Sequence, residues 1–336
     1  MSITSSSIPY AWRENPSADL LRHDGDTWTY SMGLLPVSAT PDEWSAIRLP
    51  ECAAWCYPVA PRDELFLMYH VYAWMFALDL LFVRTFKADR DLDGARAMVD
   101  RLPLFMPLDG SARAMPEPQN PIERSLADIW LRLAPTRTTA WKRDMLQAQM
   151  DYAEGQCWEL ECIRDRRIPD PSEYLVRRRG SYGGPVGICL AEHVAGAEVP
   201  VQVRRSRPFR ALMDAWTDIQ ALHNDIRSYR REVEDEDETC NSVLVFARFL
   251  ELTIDEAAAS VARLRTARLS EYEHLETTQL PELCEQLRLG SEGREQVSSV
   301  LKAMRDHLTG FHVWQDSATR YEAPAPGQSP SSRLGS

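Results

Sequence analysis

Three oxygen-bearing side chains recur at a four-residue interval in the second half of the chain: Asn224, Ser228 and Glu232. On a helix this interval places side chains on one face, each about one turn beyond the last. An amide oxygen, a hydroxyl and a carboxylate are the hard ligands that Mg²⁺ prefers, and Mg²⁺ commonly bridges to a substrate's phosphates. Neighbouring arginines, Arg231 among them, favour a polyanion beside this face. The spacing therefore predicts a divalent-cation site next to a phosphorylated ligand, with a solvated polar helix face as the alternative.

A second candidate site lies upstream, where glycines and a proline interrupt an otherwise helical stretch over residues 180–187. Such a density of helix breakers disrupts the backbone hydrogen-bond ladder and leaves carbonyl groups free. Arg178 directly precedes the break, and its guanidinium is suited to holding a phosphate or diphosphate group. An ordinary corner between two helices is the alternative interpretation.

Asp79 lies in the most apolar segment of the chain. Residues 64–86 are apolar on nearly every side, which predicts a helix buried at the centre of a bundle. An ionised carboxylate there is costly unless it is paired or binds a cation. We therefore expect Asp79 to be a metal ligand or to form a structural salt bridge. A membrane span is a weaker interpretation, because His70 and Asp79 interrupt the run and no second run follows.

These landmarks, in this order, resemble those of the bacterial class I terpene synthases. The motif at 224–232 resembles the family's NDxxSxxxE metal motif, and Arg178 lies upstream of it where the family has its diphosphate-sensing arginine. Downstream, Trp314 is followed by Arg320 and Tyr321, which resemble the family's C-terminal Arg-Tyr pair. The resemblance covers about residues 45–321. It implies an all-α, single-domain helical bundle around a central active-site cavity.

One landmark of that family is degenerate in this chain. The segment 74–83 aligns with the aspartate-rich motif, DDxxD or DDxxxE, but only Asp79, at the second aspartate, remains. Leu78 replaces the first aspartate, and Phe82 and Val83 stand where the last acid is expected. We therefore expect weak metal binding on this side of the cavity until a diphosphate supplies further oxygens.

The resemblance also implies a role for each site residue. Arg178 corresponds to the diphosphate sensor, Ser181 to the linker, and Tyr182 to the residue whose main-chain carbonyl is the effector. The implied metal ligands are Asp79, Asn224, Ser228 and Glu232, and the implied cofactor is Mg²⁺, three ions, with Mn²⁺ as an alternative. The implied diphosphate contacts are Arg178, Arg231, Arg320 and Tyr321.

The expected reaction is ionisation and cyclisation of a linear prenyl diphosphate with release of diphosphate. The substrate is farnesyl or geranylgeranyl diphosphate, with preference for the former, and the product is a cyclic sesquiterpene or diterpene. Aromatic faces of Trp74, Phe76 and Trp314 could stabilise the allylic cation, with plain core packing as the alternative for each. Proton loss and water capture both remain open as the final step.

Two other functions compete with a terpene cyclase. A chain-elongating prenyltransferase is expected to carry two aspartate-rich motifs, and this chain has none intact. A weakly catalytic or non-catalytic isoprenoid-diphosphate-binding homologue would explain the missing acids at Leu78 and Phe82. The intact residues at 178, 224, 228, 232, 320 and 321 argue against such decay.

Composition limits the class of protein further. The chain has 336 residues, 44% of them apolar, and ten tryptophans, which suffice for a large core. A formal net charge of −12 argues against nucleic-acid binding. The first residues lack the regions of a signal peptide, so we expect a cytoplasmic protein without a membrane span, which could be a homodimer. The seven cysteines have no zinc-like spacing and are interpreted as reduced thiols.

Helices are the only elements that the pattern predicts after the N-terminal segment 1–45, which we expect to wrap the bundle. The predicted ranges are 64–86, 93–102, 121–133, 138–164, 171–195, 207–236, 241–249, 254–277, 280–288 and 292–318. The acidic run 232–238, beyond Glu232 itself, is interpreted as a solvated helix end or loop rather than as a second metal site. Prolines and serines in 322–336 predict a disordered tail after a domain that spans 1–321.

Overall fold

The computed structural model describes residues 8–318, and every regular element within that range is helical. The prediction of an all-α fold is therefore confirmed. The α-helices are α1 (Ala18–Met32), α2 (Leu34–Ser38), α3 (Pro41–Ile47), α4 (Leu49–Cys56), α5 (Arg62–Leu81), α6 (Leu92–Val99), α7 (Pro121–Leu133), α8 (Thr139–Arg164), α9 (Pro171–Ser181), α10 (Gly184–Ala195), α11 (Val201–Arg204), α12 (Arg207–Tyr229), α13 (Ser242–Phe249), α14 (Ile254–His274), α15 (Leu280–Gln286) and α16 (Ser291–Ser317). There are also π-helical segments, Phe82–Lys87, Arg230–Asp235 and Leu275–Gln279, and 3₁₀ turns, Leu102–Phe105, Ala112–Ala114 and Ala134–Thr136.

The long helices begin where the sequence supplies a capping side chain. Thr138 accepts a hydrogen bond from the backbone of Trp141 at the start of α8, and Ser206 accepts one from Phe209 at the start of α12. Thr253 opens α14 with a complete capping box. Each cap satisfies a backbone N–H that has no partner within the helix and contributes about 1 kcal/mol.

Helix α5 is the buried centre of the first half of the protein. Trp74 and Leu78 are fully buried within it, and it packs against α1, α2, α4 and α7. By length and composition the continuous helix Arg62–Lys87 could cross a membrane, but 61% of its most apolar 18-residue stretch is buried inside the protein. The apolar run therefore serves as a core helix, as its sequence predicts.

Four helices of the bundle surround the site. Helix α10 packs against α8, α12 and α16, and α12 also packs against α16. Helix α5 closes the remaining side, where Tyr72 shares a hydrogen bond of 2.7 Å with His307 of α16. The functional side chains are thus carried by long helices that are fixed by their packing.

Two predicted helices differ from the observed ones at functionally important points. The predicted helix 171–195 is divided into α9 and α10, because the glycine-rich segment breaks it as expected. The predicted helix 207–236 is α-helical only to Tyr229 and continues as a π-helical segment. The boundaries 1–321 and 322–336 extend beyond the described residues and stay predictions.

Candidate active site

A cavity of roughly 1050 Å³, counted with its open mouth, lies between α5, α8, α10, α12 and α16. The aromatic lining residues form one cluster: the rings of Tyr72, Tyr182 and Trp314 each contact Phe311, and Phe76 contacts Trp314. Tyr152 and Trp216 line the cavity as well. The charged lining residues form ion pairs with one another: Lys87 and Arg178 with Glu159, Lys87 with Glu238, and Arg231 with Glu232 and Glu236. Asp79 is the remaining charged lining residue. The cavity therefore offers an apolar compartment with a charged end.

The charged end includes two of the three residues of the spaced oxygen motif. Asn224 and Glu232 line the cavity, whereas Ser228 is fully buried and does not. The Ser228 hydroxyl donates a hydrogen bond of 2.8 Å to the main-chain carbonyl of Asn224. Glu232 lies in the π-helical segment, where its carboxylate accepts a hydrogen bond of 3.2 Å from Asn241. Such π turns occur frequently at functional sites.

Arg178 lies beside this motif, as its position before the glycine-rich break predicts. Its guanidinium donates to Asp225 at 2.8 Å, to the Asn224 side chain at 3.1 Å and to Glu159 at 3.2 Å. Burial lowers the pKa of Arg178, but Asp225 and Glu159 raise it well above its usual value. Asp225 also accepts hydrogen bonds from the Tyr174 hydroxyl and the Ser242 backbone. The arginine is thus a charged group held against the cavity wall.

The degenerate motif contributes one carboxylate to the cavity. Asp79 lines it, and Val83 lines it one turn further along. Leu78 and Phe82 are fully buried in the apolar core instead. The degenerate motif therefore contributes to the cavity the single acid that the sequence predicts.

Four charged residues of the cavity were not predicted from the sequence. Glu159 belongs to α8, Lys87 ends the π segment after α5, and Glu236 and Glu238 follow the π segment after α12. The expectation of a solvated helix end or loop beyond Glu232 is wrong for Glu238, which is buried and paired with Lys87, and Glu236 lines the cavity as well. The chain turns back after α12, where the Glu238 carboxylate accepts hydrogen bonds from the backbone of the following loop. Only tertiary structure reveals these residues, because they come from separate elements.

The break between α9 and α10 is tightly packed against its neighbours. Gly183 has φ +80°, and a Cβ atom on it would lie 2.4 Å from Met75 Cε. A Cβ atom on Gly155 of α8 would lie 2.4 Å from Ser181 Cα, so α8 and the end of α9 touch. Ser181 is buried, and Ser181, Tyr182 and Gly183 all line the cavity. Gly183 is therefore required by its positive φ, and Gly155 is required because the backbone of Ser181 lies so close to it.

The three aromatic candidates divide into two groups. Phe76 and Trp314 line the cavity with their rings 5.8 Å apart in an edge-on arrangement. Trp74 does not line it; its indole is fully buried and donates to the Ile122 carbonyl at 2.9 Å. Burial lowers the pKa of the nearby cavity residue His307 to about 3, so this compartment carries no charge at neutral pH. Arg320 and Tyr321 lie outside the described residues.

The donor set at the charged end fits a hard divalent cation. Asn224, Glu232 and Asp79 line one cavity and can offer it an amide oxygen and two carboxylates. In total the cavity is lined by five carboxylates and three cationic side chains, so its charged end has an excess of negative charge. Burial raises the pKa of the Glu236 carboxyl, and Glu232 and Asp79 raise it further while Arg231 opposes them. This crowding of negative charge would be relieved by a bound cation. The Ser228 hydroxyl already donates its hydrogen to the Asn224 carbonyl, so Ser228 could bind a cation only through a lone pair of its oxygen.

The fold and the cavity together describe an α-helical protein that combines an aromatic compartment with an acidic end whose oxygen donors suit a cation. A family model described as terpene synthase family 2, C-terminal metal binding, matches residues 70–271. The chain belongs to this terpene synthase family. The prediction of a terpene cyclase is thereby confirmed, and the prediction of metal binding is confirmed without the identity or number of the ions.

Similar proteins agree with this assignment. Pristinol synthase of Streptomyces pristinaespiralis is 28% identical over 326 residues, which cover 94% of this chain and 84% of the relative. Pentalenene synthase of Streptomyces exfoliatus is 27% identical over 94% of this chain and 92% of the relative. Germacradien-4-ol synthase from Streptomyces citricolor has the same fold, with a TM-score of 0.82 at 23% identity over 93% of this chain and 98% of that chain.

Proposed function

We propose that the protein cyclises farnesyl diphosphate to a sesquiterpene with release of diphosphate. The observation that carries the proposal is the division of one cavity into an aromatic compartment and a charged end. A prenyl chain fits the first and a diphosphate the second. Two relatives, each 26% identical, support the C15 substrate: 7-epi-alpha-eudesmol synthase of Streptomyces viridochromogenes and (-)-beta-caryophyllene synthase of Saccharothrix espanaensis, both named as farnesyl diphosphate cyclizing.

The charged end would hold the diphosphate. We assign Asp79, Asn224, Glu232 and, through its hydroxyl lone pair, Ser228 to metal ions, for which we expect three Mg²⁺, with Mn²⁺ able to replace them. When bound, these ions supply charge neutralisation that makes diphosphate a better leaving group. Arg178 and Arg231 donate hydrogen bonds to the diphosphate oxygens, and by family resemblance Arg320 and Tyr321 complete this set. Because charged hydrogen bonds strengthen as the leaving group gains charge, these contacts favour ionisation.

The aromatic compartment would control the cation. Heterolysis of the C–O bond sends its electron pair to the leaving diphosphate and leaves an allylic cation. The main-chain carbonyl of Tyr182 at the helix break, positioned through Ser181, is the proposed effector of this step. The rings of Phe76 and Trp314 offer their faces to the cation and exclude water that would quench it. Trp74 has a supporting role beneath the cavity wall, since its ring lies in the core.

The proposal also includes where the enzyme acts and which partners it has. We infer that the enzyme acts in the cytoplasm on a diffusing prenyl diphosphate, and that a homodimer is compatible with this function. We expect no role for nucleic acid or for a membrane in it; among residues 8–318 the one membrane-length helix lines the cavity.

Incubation with C10, C15 and C20 prenyl diphosphates and Mg²⁺, followed by gas chromatography with mass spectrometry, tests the proposal. We expect cyclic sesquiterpene from farnesyl diphosphate as the main product. A cyclic diterpene from the C20 substrate alone would correct the chain length. A longer prenyl diphosphate, formed only when isopentenyl diphosphate is added, would replace the cyclase proposal with the prenyltransferase.

A further inference from the structure

Lys87 places a positive charge on the side of the cavity where the aspartate-rich motif is degenerate. Asp79, Val83 and Lys87 recur at four-residue spacing along α5 and its π-helical continuation, and all three line the cavity. The side chain of Lys87 is only 10% exposed. Lys87 is therefore the last cavity-lining residue on this continuous helix, whose earlier lining residues include the aromatic side chains of Tyr72 and Phe76.

Carboxylates hold the Lys87 ammonium in place. Its Nζ atom lies 2.9 Å from Glu159 Oε2 and 2.8 Å from Glu238 Oε2. Burial lowers the pKa of Lys87, but Glu159, Glu238 and Asp79 raise it well above its usual value, so the group is charged. The ammonium is thus held between the two carboxylates of Glu159 and Glu238, within the electrostatic influence of Asp79.

The hydrogen-bonding capacity of this ammonium exceeds what its two carboxylate partners use. An ammonium group has three N–H donors, and the two carboxylates accept from two of them. Because Lys87 lines the cavity, an anion in the charged end could accept from the third. Lysine commonly binds phosphate groups as a point charge of this kind.

We propose that Lys87 is a diphosphate-binding residue whose fixed ammonium adds cationic charge on the side of the cavity where acids are missing at Leu78 and Phe82. The inference rests on the proposed function, because it assigns the diphosphate to the same charged end. Asp79 is the one acid that the degenerate motif contributes to hold metal ions on this side. An ammonium anchored by Glu159 and Glu238 donates its third N–H to the diphosphate there without any metal ligand.

The competing interpretation is a purely structural ion-pair network, and a pair of variants separates the two. Glu238→Gln leaves the Lys87 ammonium with Glu159 as its partner. Lys87→Gln combined with Glu238→Gln removes the ammonium as well, while Glu159 keeps its ion pair with Arg178 at 3.2 Å. The two proteins therefore differ by the ammonium and not by an unpaired buried carboxylate. Thermal unfolding first establishes that both are folded.

Calorimetric titration with inorganic pyrophosphate, at the lowest Mg²⁺ concentration that saturates the wild type, gives the decisive comparison. We expect the double variant to bind pyrophosphate at least about tenfold more weakly than Glu238→Gln, since a charged hydrogen bond is lost. Equal affinity in the two variants would overturn the role of Lys87 and leave it structural. Failure of the wild type itself to bind pyrophosphate with Mg²⁺ would contradict the proposed function instead.

Discussion

Replacing Arg178 with alanine is expected to lower both the stability of the fold and the rate of turnover, by separable mechanisms. The guanidinium is 11% exposed, and its partner Asp225 is completely buried. Removing one member of a buried ion pair typically lowers the free energy of unfolding by about 3–5 kcal/mol. Asp225 keeps the hydrogen bonds from Tyr174 and Ser242, so we expect the lower end of that range.

The loss of turnover has a different origin. If Arg178 holds the diphosphate as it ionises, its removal costs about two orders of magnitude in rate, as for other groups that stabilise developing negative charge. Adding Asp225→Asn to Arg178→Ala removes the unpaired buried charge and should restore most of the stability. It should not restore turnover, because the diphosphate contact is still absent.

Urea unfolding and a pyrophosphate-release assay measure the two effects on the same variants. Arg179→Ala is a matched control, because Arg179 also forms ion pairs, with Asp214 and Asp218, but does not line the cavity. This control should keep its turnover at temperatures where it is folded. Recovery of turnover in the double variant, or normal turnover in Arg178→Ala, would refute the role of Arg178 as a diphosphate ligand.

Four further perturbations have defined outcomes. Glu232→Gln should remove most metal-dependent turnover, whereas Glu234→Gln in the same π segment, which is 54% exposed, should not; equal effects in the assay would count against the metal site. Asp79→Asn should severely weaken turnover and, in calorimetry, reduce Mg²⁺ binding with pyrophosphate present; unchanged product yield would make Asp79 structural. Gly183→Ala should lower the free energy of unfolding by about 1–2 kcal/mol, because its φ is +80°, a conformation in which an L side chain is strained; an unchanged melting temperature would disprove this. Burial raises the pKa of the Glu123 carboxyl, but the ion pair with Arg101 at 2.6 Å and the hydrogen bond from the Gln119 backbone outweigh it and hold this pKa below its usual value of 4.5; Glu123→Gln should therefore reduce the free energy of unfolding at pH 7, and this reduction should shrink as the pH falls below 4.5 through the lowered pKa of the folded state.

The sequence predicts the helices well where local signals define them. Residues 121–133 were predicted as a helix and form α7, because Asn120 caps it, Pro121 opens it and its apolar residues recur on one face. The π-helical segment after Tyr229 was not predictable, since the residues of 230–235 are compatible with a continuing α-helix. This π-helical segment bears on the candidate site, because it contains Glu232.

Only those site residues that belong to a sequence motif could be predicted. Asn224, Glu232, Asp79 and Arg178 meet at one end of the cavity, as their types and order indicate. Lys87 and Glu159 come from separate helices and have no mutual spacing in the sequence, so only packing brings them together. Phe76 and Trp74 lie two residues apart on a helix that is apolar all round. No periodicity could therefore show which ring faces the cavity and which faces the core.

A crystal structure of the protein with Mn²⁺ and inorganic pyrophosphate tests the central claim most directly, because Mn²⁺ is located by its anomalous scattering. The account predicts metal peaks in the charged end, within bonding distance of oxygens from Asn224, Glu232 and Asp79 and of the pyrophosphate, at about 2.0–2.2 Å as in octahedral oxygen sites. Pyrophosphate should also contact Arg178. Metal and pyrophosphate bound only at surface carboxylates and arginines, with the cavity vacant, would contradict it.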